Sequence, residues 1–152
     1  MAAGKLPADD NLTDPLHAFL GYQLRRASNS AIASLAEALS AHGLSVVEAS
    51  VLTVIAENNG ATQSAIGRLL DIQRANMAPI ASKLARMGLT KSDPHGRQLL
   101  LRTSALGTRT AQKVKRCMVE HDTSTFPRIK PADRKKLQAL LRSIWRDEEA
   151  PR

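Results

Sequence analysis

The stretch Thr62–Leu89, TQSAIGRLLDIQRANMAPIASKLARMGL, decides the fold of this chain. In its first half, the Thr62 hydroxyl can cap a helix. The apolar residues that follow at helical spacing are Ile66, Leu69 and Leu70. After an interruption at 71–73, a second apolar side repeats at steps of three and four: Met77, Ile80, Leu84 and Met87. Gly88 is suited to end that helix, because glycine accepts a left-handed backbone. Two short helices joined by a tight turn predict a helix-turn-helix, whose second helix can enter a DNA major groove.

The composition favours an anionic partner and argues against several other classes of protein. The chain has 152 residues, enough for one domain with a sizeable core, and a formal net charge of +8. The charge points to nucleic acid, with a generic basic surface as the alternative. Aromatic residues make up only 3%, which argues against folds that read RNA by stacking exposed rings.

The single cysteine and the hydropathy indicate where the chain works. One cysteine permits no intramolecular disulfide, so a cytoplasmic location is expected. No apolar run approaches the ~18 residues of a membrane span, and no signal peptide opens the chain, so no membrane association is expected. Residues 1–13 are expected to form a polar tail.

A long first helix is predicted from Asp14 to about Ala41, because a capping side chain is followed by Pro15 at the first helical position. Its apolar stripe is broad: Leu16, Phe19, Leu20, Leu24, Ala27, Ala31, Leu35 and Leu39. A stripe of this width is typical of a helix that packs against both its own domain and a partner chain.

The remaining elements are predicted from caps, turns and periodicity. Ser45 and Glu48 form a capping box that opens a second helix, whose buried face is expected at Val47, Val51, Val54 and Ile55. Short strands at 89–92 and 98–102 flank a turn at 93–97, and a hairpin directly after a helix-turn-helix is a wing. Ser104 can cap a long helix to about Asp122, and Pro131 lies at the first turn of a last helix. The helix after Ser104 is expected to turn inward Leu106, Ala111, Val114, Cys117 and Met118. In the last helix the apolar residues that repeat at helical spacing are Leu137, Leu140, Leu141, Ile144 and Trp145.

The predicted fold class is therefore mainly α, a winged helix-turn-helix of about six helices plus a short β-hairpin wing. Residues 45–103 are expected to be the DNA-binding region. Segments 14–44 and 104–152 are expected to be dimerisation helices of the same intertwined domain, since they are apolar enough to pair with a second copy.

This order of elements resembles the MarR family of winged-helix transcription regulators. The segments that carry the resemblance are LGYQLRRA at 20–27, TQSAIG at 62–67, RANMAP at 74–79, LARMGL at 84–89 and TSALG at 103–107. The last is similar to the family's Leu-Thr-x-x-Gly step after the wing. The resemblance implies a homodimer that sets two winged domains on a palindromic operator. It also implies repression of nearby genes, relieved by a phenolic compound or an aromatic acid, for which a CoA ester is another candidate form.

Two departures from the family pattern bear on DNA binding. The wing is about three residues shorter than usual and reads His95-Gly96-Arg97 where the family has Asp-x-Arg, which predicts a shallower reach into the minor groove. Pro79 replaces a basic or polar residue within the second helix. Since proline removes a donor and crowds the preceding turn, a late start or a bend near Ala75 is expected.

The candidate DNA contacts lie on the outer side of the second helix, at the start of the first and in the wing: Gln63, Ser64, Arg74, Ala75, Asn76, Ala78, Pro79, Lys83 and Arg97. Asn76 can pair with adenine, or merely cap the turn. Arg74 can reach guanine or phosphate, and the small residues can approach thymine methyl groups. Gln63 and Ser64 lie where free backbone donors favour phosphate.

Other basic residues are weaker DNA candidates. Lys83 is expected to contact phosphate or simply to be solvated. Arg97 is a minor-groove candidate whose alternative is a solvated turn arginine. Arg68, Lys91 and Arg102 are expected to supply a general positive field.

The resemblance also implies an effector pocket between the dimer helices and the winged domain, with candidates by location at Phe19, Tyr22, Arg26, His42, Ser50 and Met118. Tyr22 and Arg26 are one turn apart and can present a hydroxyl and a cation to a carboxylate, with Arg25 as the alternative cation. The competing interpretations are a core-edge Tyr22, an interface ion pair of Arg26, and a helix-end His42.

No set of catalytic residues emerges, so no enzymatic activity, metal or cofactor is expected. Cys117 is expected to be an inert thiol rather than an oxidant sensor. Two alternatives to a ligand-responsive regulator remain, a ligand-independent architectural DNA-binding protein and a winged-helix protein–protein module. The basic residues of the reading face, Arg74, Lys83, Arg86 and Arg97, count against the module.

Overall fold

The computed structural model describes residues 13–96, 98–127 and 129–145. These contain six helices and a small antiparallel sheet, which confirms the predicted fold class. The helices are α1 Leu20–Ser40, α2 Val46–Glu57, α3 Gln63–Leu69, α4 Arg74–Arg86, α5 Ala105–Thr125 and α6 Pro131–Trp145. The strands are β1 Ala61–Thr62, β2 Thr90–His95 and β3 Gln98–Thr103, in the order β1-β3-β2. Among the described helices, none combines the length and apolarity that spanning a bilayer requires.

The helix caps predicted at Ser45, Thr62 and Ser104 are present. The Thr62 hydroxyl accepts from the Ala65 N–H at 3.2 Å, and the Ser104 hydroxyl accepts from the Gly107 N–H at 2.9 Å. The capping box is complete, because the Ser45 N–H donates to the Glu48 carboxylate and the Ser45 hydroxyl accepts from the Glu48 N–H. Side-chain acceptors thus satisfy backbone donors that the first helical turn leaves free.

The first helix begins later than predicted, at Leu20 instead of Asp14. The Asp14 carboxylate does accept a backbone hydrogen bond, from Leu16 at 2.9 Å, but it closes a separate turn. Phe19 then adopts an extended backbone, with φ −86° and ψ 122°, so the turn and the helix are not continuous.

The second helix of the central pair begins without delay at Arg74, so the expected late start was wrong. Pro79 lies inside this helix on its exposed side. Proline leaves the Ala75 carbonyl without its usual helical donor and crowds the preceding turn, and α4 nevertheless continues to Arg86.

The wing has longer strands and a shorter turn than predicted. His95 pairs with Gln98, so only residues 96 and 97 connect the strands, and Gly96 takes the left-handed φ of +58° that such a connection requires. The short strand β1 was not predicted, because two residues carry no periodicity; Ala61 pairs with Leu101 on the other side of β3. Arg97 lies outside the described residues.

One core joins α1, α2, the helix-turn-helix, β3 and α5. Its buried apolar members are Leu39, Leu44, Ala49, Val51, Leu52, Ile55, Ile66, Met77, Ala81, Leu84, Leu89, Leu101, Ala111 and Val114. Three residues expected inside are instead exposed: Val47, Leu69 and Leu106. Val47 is exposed because α2 buries the face that contains Ala49 and Leu52.

The other two exposed residues have a similar explanation. In α3 the buried positions are Ile66 and Gly67, so the core-facing side is centred between them and Leu69 lies outside it. In α5 the residue that faces the core in the first turn is Gly107, not Leu106.

The terminal helices leave a large apolar surface uncovered. The exposed residues include Leu16, Phe19, Leu20 and Ile32 near or in α1, and Leu137, Leu140, Leu141, Ile144 and Trp145 in α6. The attachment of α6 is mainly polar: Arg134 Nη1 donates to the Asp122 carbonyl at 2.8 Å, and Nη2 donates to the Phe126 carbonyl at 3.0 Å.

Gly107→Ala is expected to destabilise the fold strongly, by roughly 2–4 kcal/mol, because its new Cβ would overlap the carbonyl oxygen of Leu89. That oxygen is held in place by the Ser104 N–H at 3.0 Å, so it cannot move freely. Urea unfolding measures the change. Gly21→Ala is the matched control, since a Cβ there meets nothing within 4 Å. Equal stability of the two variants would contradict the close approach of α5 to Leu89.

Candidate nucleic-acid interface

The helix-turn-helix closes tightly because Gly67 has no side chain. A Cβ at this position would lie 3.1 Å from the Met77 Cγ and 3.1 Å from the Ile72 carbonyl oxygen. The Ile72 N–H donates to the Gly67 carbonyl at 2.8 Å, and Asp71 adopts a left-handed φ of 51°. These features bring the start of α4 against α3 and set the direction in which α4 leaves the turn.

Helix α4 has one buried side and one fully exposed side, as its sequence pattern predicted. Met77, Ala81 and Leu84 are buried in the core. The exposed residues are Arg74, Ala75, Asn76, Ala78, Pro79, Ser82, Ala85 and Arg86. Among the described residues, no hydrogen bond or ion pair engages the side chains of Arg74, Asn76 or Arg86, so these donors are available to a ligand.

Lys83 differs from the other basic residues of α4. Its ammonium lies 2.8 Å from the Glu48 Oε2 on α2, and the side chain is 40% exposed. The same carboxylate oxygen accepts from the Ser45 N–H at 2.9 Å. Lys83 thus forms an intramolecular ion pair with Glu48, a partner that was not predicted from the sequence.

The environment of Glu48 acts on its pKa in two opposite directions. Burial raises the pKa of this carboxyl, whereas the hydrogen bonds from Lys83 and Ser45 lower it. The hydrogen bonds prevail, so the pKa of Glu48 is below its ordinary value and the group is ionised at neutral pH.

An open cleft of about 800 Å³ lies beside the exposed side of α4. It is bounded by the start of α3, the turn, the start of α4 and the beginning of β3. Gln63, Ser64 and Arg74, which were predicted separately, line it together with Arg68. Gln73 and Gln98 also line it and were missed. For Gln73 the available signal was its place directly before Arg74.

The base of the wing is held by polar contacts. The Thr103 N–H donates to the Asn59 Oδ1 at 3.0 Å, and Arg102 Nε donates to the Asp93 Oδ2 at 2.9 Å. Arg102 is therefore paired with an acid, which reduces its share in the expected positive field, whereas Lys91 is exposed.

The candidate effector residues are only partly brought together. Arg26 Nη1 donates to the Tyr22 hydroxyl at 3.2 Å, and the Arg25 guanidinium lies 5.3 Å from the centre of the Tyr22 ring. Both candidate cations thus lie next to Tyr22, and the choice between them stays open.

The other four effector candidates lie elsewhere. Phe19 is 61% exposed before α1, and His42 is half-buried just after it. The Ser50 hydroxyl donates to the Val46 carbonyl at 2.9 Å within α2, and Met118 packs against the core. In the described ranges, no hydrogen bond joins any of these four to Tyr22 or Arg26.

Cys117 is half-buried, with its sulfur 3.5 Å from the Ala38 carbonyl. The described residues contain no group of three or more His, Cys, Asp or Glu side chains that could hold a metal ion.

Comparison with known proteins identifies the fold. No family model matches the chain. The chain is 27% identical over 154 residues to the "Putative transcriptional regulatory protein for hcr operon" of Thauera aromatica, a match that covers 95% of this chain and 93% of that protein.

Solved structures give a stronger likeness in fold. A MarR-family transcriptional regulator from Rhodococcus sp. RHA1 has a TM-score of 0.81 at 21% identity, covering 87% of this chain and 96% of that one. The transcriptional repressor CouR bound to a 23-mer DNA duplex has a TM-score of 0.82 at 24% identity, covering 86% and 95%. CouR from Rhodococcus jostii RHA1 bound to p-coumaroyl-CoA has a TM-score of 0.79 at 21% identity, and the match covers 87% of this chain and 95% of that one. These structural neighbours are transcriptional regulators, and the resemblance to the MarR family is confirmed for the fold.

Glu48→Gln is expected to lower the free energy of unfolding near neutral pH. A carboxyl whose pKa is depressed by folding contributes stability above its ordinary pKa of 4.5, and that contribution is lost as the pH falls through the folded value. In urea titrations, the difference between wild type and variant should therefore shrink below about pH 4.5. Glu57→Gln is the control, because its pair with Lys115 is exposed and should contribute little. A difference that does not change with pH would mean that packing, not charge, is affected.

Proposed function

We propose that this chain is a sequence-specific DNA-binding transcriptional regulator and not an enzyme. The observation that carries the proposal is the exposed side of α4, where Arg74 and Asn76 have free donors beside small residues that allow close approach. The sequence relative named for an operon and the DNA-bound repressor of the same fold support it. The regulator would act on DNA in the cytoplasm.

The proposed contacts are of two kinds: those that recognise DNA bases and those that bind the DNA phosphate backbone. Asn76 would pair with adenine, and Arg74 with guanine or a phosphate. Ala75, Ala78 and Pro79 would approach thymine methyl groups. Gln63 and Ser64 would contact phosphate at the cleft, and Arg97 would extend from the wing toward the minor groove.

We further propose that the active form is a homodimer. The apolar residues of α1 and α6 that are exposed in one copy would be buried between two copies, as a surface of this size is unfavourable in water. A dimer would place two α4 helices on the half-sites of a palindrome, with centres one helical turn, ~34 Å, apart.

The regulator is proposed to be a repressor that a small aromatic acid, a phenolic compound or a CoA ester releases. The hydroxyl of Tyr22 and a guanidinium, that of Arg26 or Arg25, form an adjacent donor pair that suits a carboxylate or phosphate. The CoA-ester complex of CouR supports this class of ligand.

A footprint on the DNA that flanks its own gene tests DNA recognition. One palindrome should be protected, with affinity that falls steeply as salt rises. Asn76→Ala should cost roughly 1–3 kcal/mol per half-site on that operator and leave the salt dependence unchanged, since it removes a base contact. Arg74→Gln should also lower the slope of log affinity against log salt, by about 0.9 for each phosphate that the arginine neutralises, and Arg142→Gln on α6 is the charge-matched control.

The alternatives give different outcomes in the same experiment. An architectural DNA-binding protein would show the salt dependence without preference for one site, and no compound would release it. A protein–protein module would not bind DNA. Repeating the footprint with aromatic acids and their CoA esters tests release from DNA. If none of these compounds releases the protein, the ligand-released repressor is contradicted, whereas sequence-specific DNA binding is not.

Leu140→Glu is expected to convert the dimer to a monomer without unfolding the winged domain. Leu140 is 56% exposed in a single copy, so the new charge disturbs no core, but it would be desolvated in the proposed interface. Sedimentation measures the mass, and Lys135→Glu, on the opposite side of the same helix, is the control. A Leu140→Glu variant that remains dimeric would refute the role assigned to this face of α6.

A further inference from the structure

One ion pair of this chain is unlike the rest. Four ion pairs join described residues, and in three of them the acid is well exposed: Asp93 at 58%, Glu57 at 59% and Asp122 at 62%. The Glu48 side chain is only 12% exposed, and its partner Lys83 lies on the reading helix α4. A surface ion pair contributes little to stability, whereas a buried carboxylate without its partner is costly.

We propose that Glu48 is a positioning residue for DNA recognition, which holds α4 at its reading angle through Lys83. Lys83 then stays bound to Glu48 when the protein meets DNA, instead of contacting a phosphate. This inference rests on the proposed function, because it assigns a role within DNA recognition.

The contacts between α2 and α4 show why a polar link matters. Apart from this pair, no side-chain hydrogen bond joins the two helices in the described part of the chain. Both helices also place fully buried apolar residues in the same core, among them Leu52 of α2 and Leu84 of α4. Hydrophobic burial is non-directional, so it decides which side of α4 faces the core but restricts small rotations and shifts of the helix less than a directed contact does. A charge-assisted hydrogen bond of 2.8 Å restricts that freedom.

The anchor itself is rigid. Oε2 of Glu48 accepts from both Lys83 and the backbone N–H of Ser45, so the carboxylate is fixed to the first turn of α2. Leu44, the residue before this capping box, is 4% exposed and holds the same turn in the core. Lys83 directly precedes the buried Leu84, so a rotation of α4 about its axis would move the Lys83 ammonium relative to Glu48.

The direction in which Glu48→Gln changes DNA affinity distinguishes a positioning role of Glu48 from a direct contact of Lys83 with DNA. Removing the negative charge of Glu48 near a DNA-binding face should strengthen DNA binding if only the electrostatic field counts. It should also strengthen binding if Lys83 is thereby freed for a phosphate. If Glu48 positions α4, the same substitution weakens binding to the operator.

The experiment compares Glu48→Gln, Lys83→Gln, the double variant and Lys83→Arg for binding to the operator and to unrelated DNA. Glutamine preserves the capping box, so Glu48→Gln removes the charge and little else. Each single variant should weaken operator binding roughly tenfold, as expected for one charge-assisted hydrogen bond. The double variant should be no weaker than either, the salt slope should not change, and Lys83→Arg should restore most of the affinity. Glu57→Gln, in the exposed pair with Lys115, should have no effect.

Several results would overturn the proposal. The first is operator binding by Glu48→Gln that is unchanged or tighter. The second is a double variant whose loss of affinity equals the sum of the two single losses. The third is a salt slope that Lys83→Gln lowers by about 0.9 per subunit. A merely stabilising residue would lower the melting temperature and leave the affinity of the folded protein unchanged.

Amide hydrogen exchange of α4 in the free protein gives a readout without DNA. Both single variants should accelerate exchange in α4 more than in α5, and exchange that is unchanged, or accelerated equally in both helices, would overturn the positioning role. If the wild-type chain has no specific operator, the proposed function fails, and the exchange rates still decide whether Glu48 holds α4.

Discussion

The burial of one side of α4 is the constraint on which the rest of this structure depends. Met77, Ala81 and Leu84 enter a core shared with α2, and Gly67 lets α3 approach closely enough to complete that core. Once the inner side is committed, the residues between these positions must face outward, because a helix turns by 100° per residue. The exposed Arg74 and Asn76 follow from apolar packing on the far side of the same helix.

The basic residues on and near α4 differ in whether an acid pairs with them. Lys83 is bound by the buried Glu48 of α2, and Arg102 of the wing is paired with Asp93. Arg74 and Arg86, at the two ends of α4, have no acidic partner among the described residues.

The terminal helices follow a different principle, since much of their apolar surface is not buried within one copy. Only Leu39 of α1 is fully buried, and α6 has no buried residue in its described length. Arg134 holds α6 by its contacts with the carbonyls at the end of α5. An attachment by hydrogen bonds leaves the apolar face of the helix available for a second copy, which is why the dimer is a natural part of the proposed function.

The sequence by itself determined the elements whose signals are local. Side-chain caps at Ser45, Thr62 and Ser104, the glycine that ends α4, and the helical periodicity of α4 each depend on neighbours a few residues away. It could not determine which side of α2 is buried, that Phe19 interrupts the first helix, or that β1 exists, because these depend on contacts between distant segments. Only the tertiary structure decided the place of Lys83, since Glu48 is 35 residues away in the chain and 2.8 Å away in space. A basic residue on a predicted reading face has the same sequence signature whether it meets a phosphate or a buried carboxylate, and only the packing of α2 against α4 distinguishes the two.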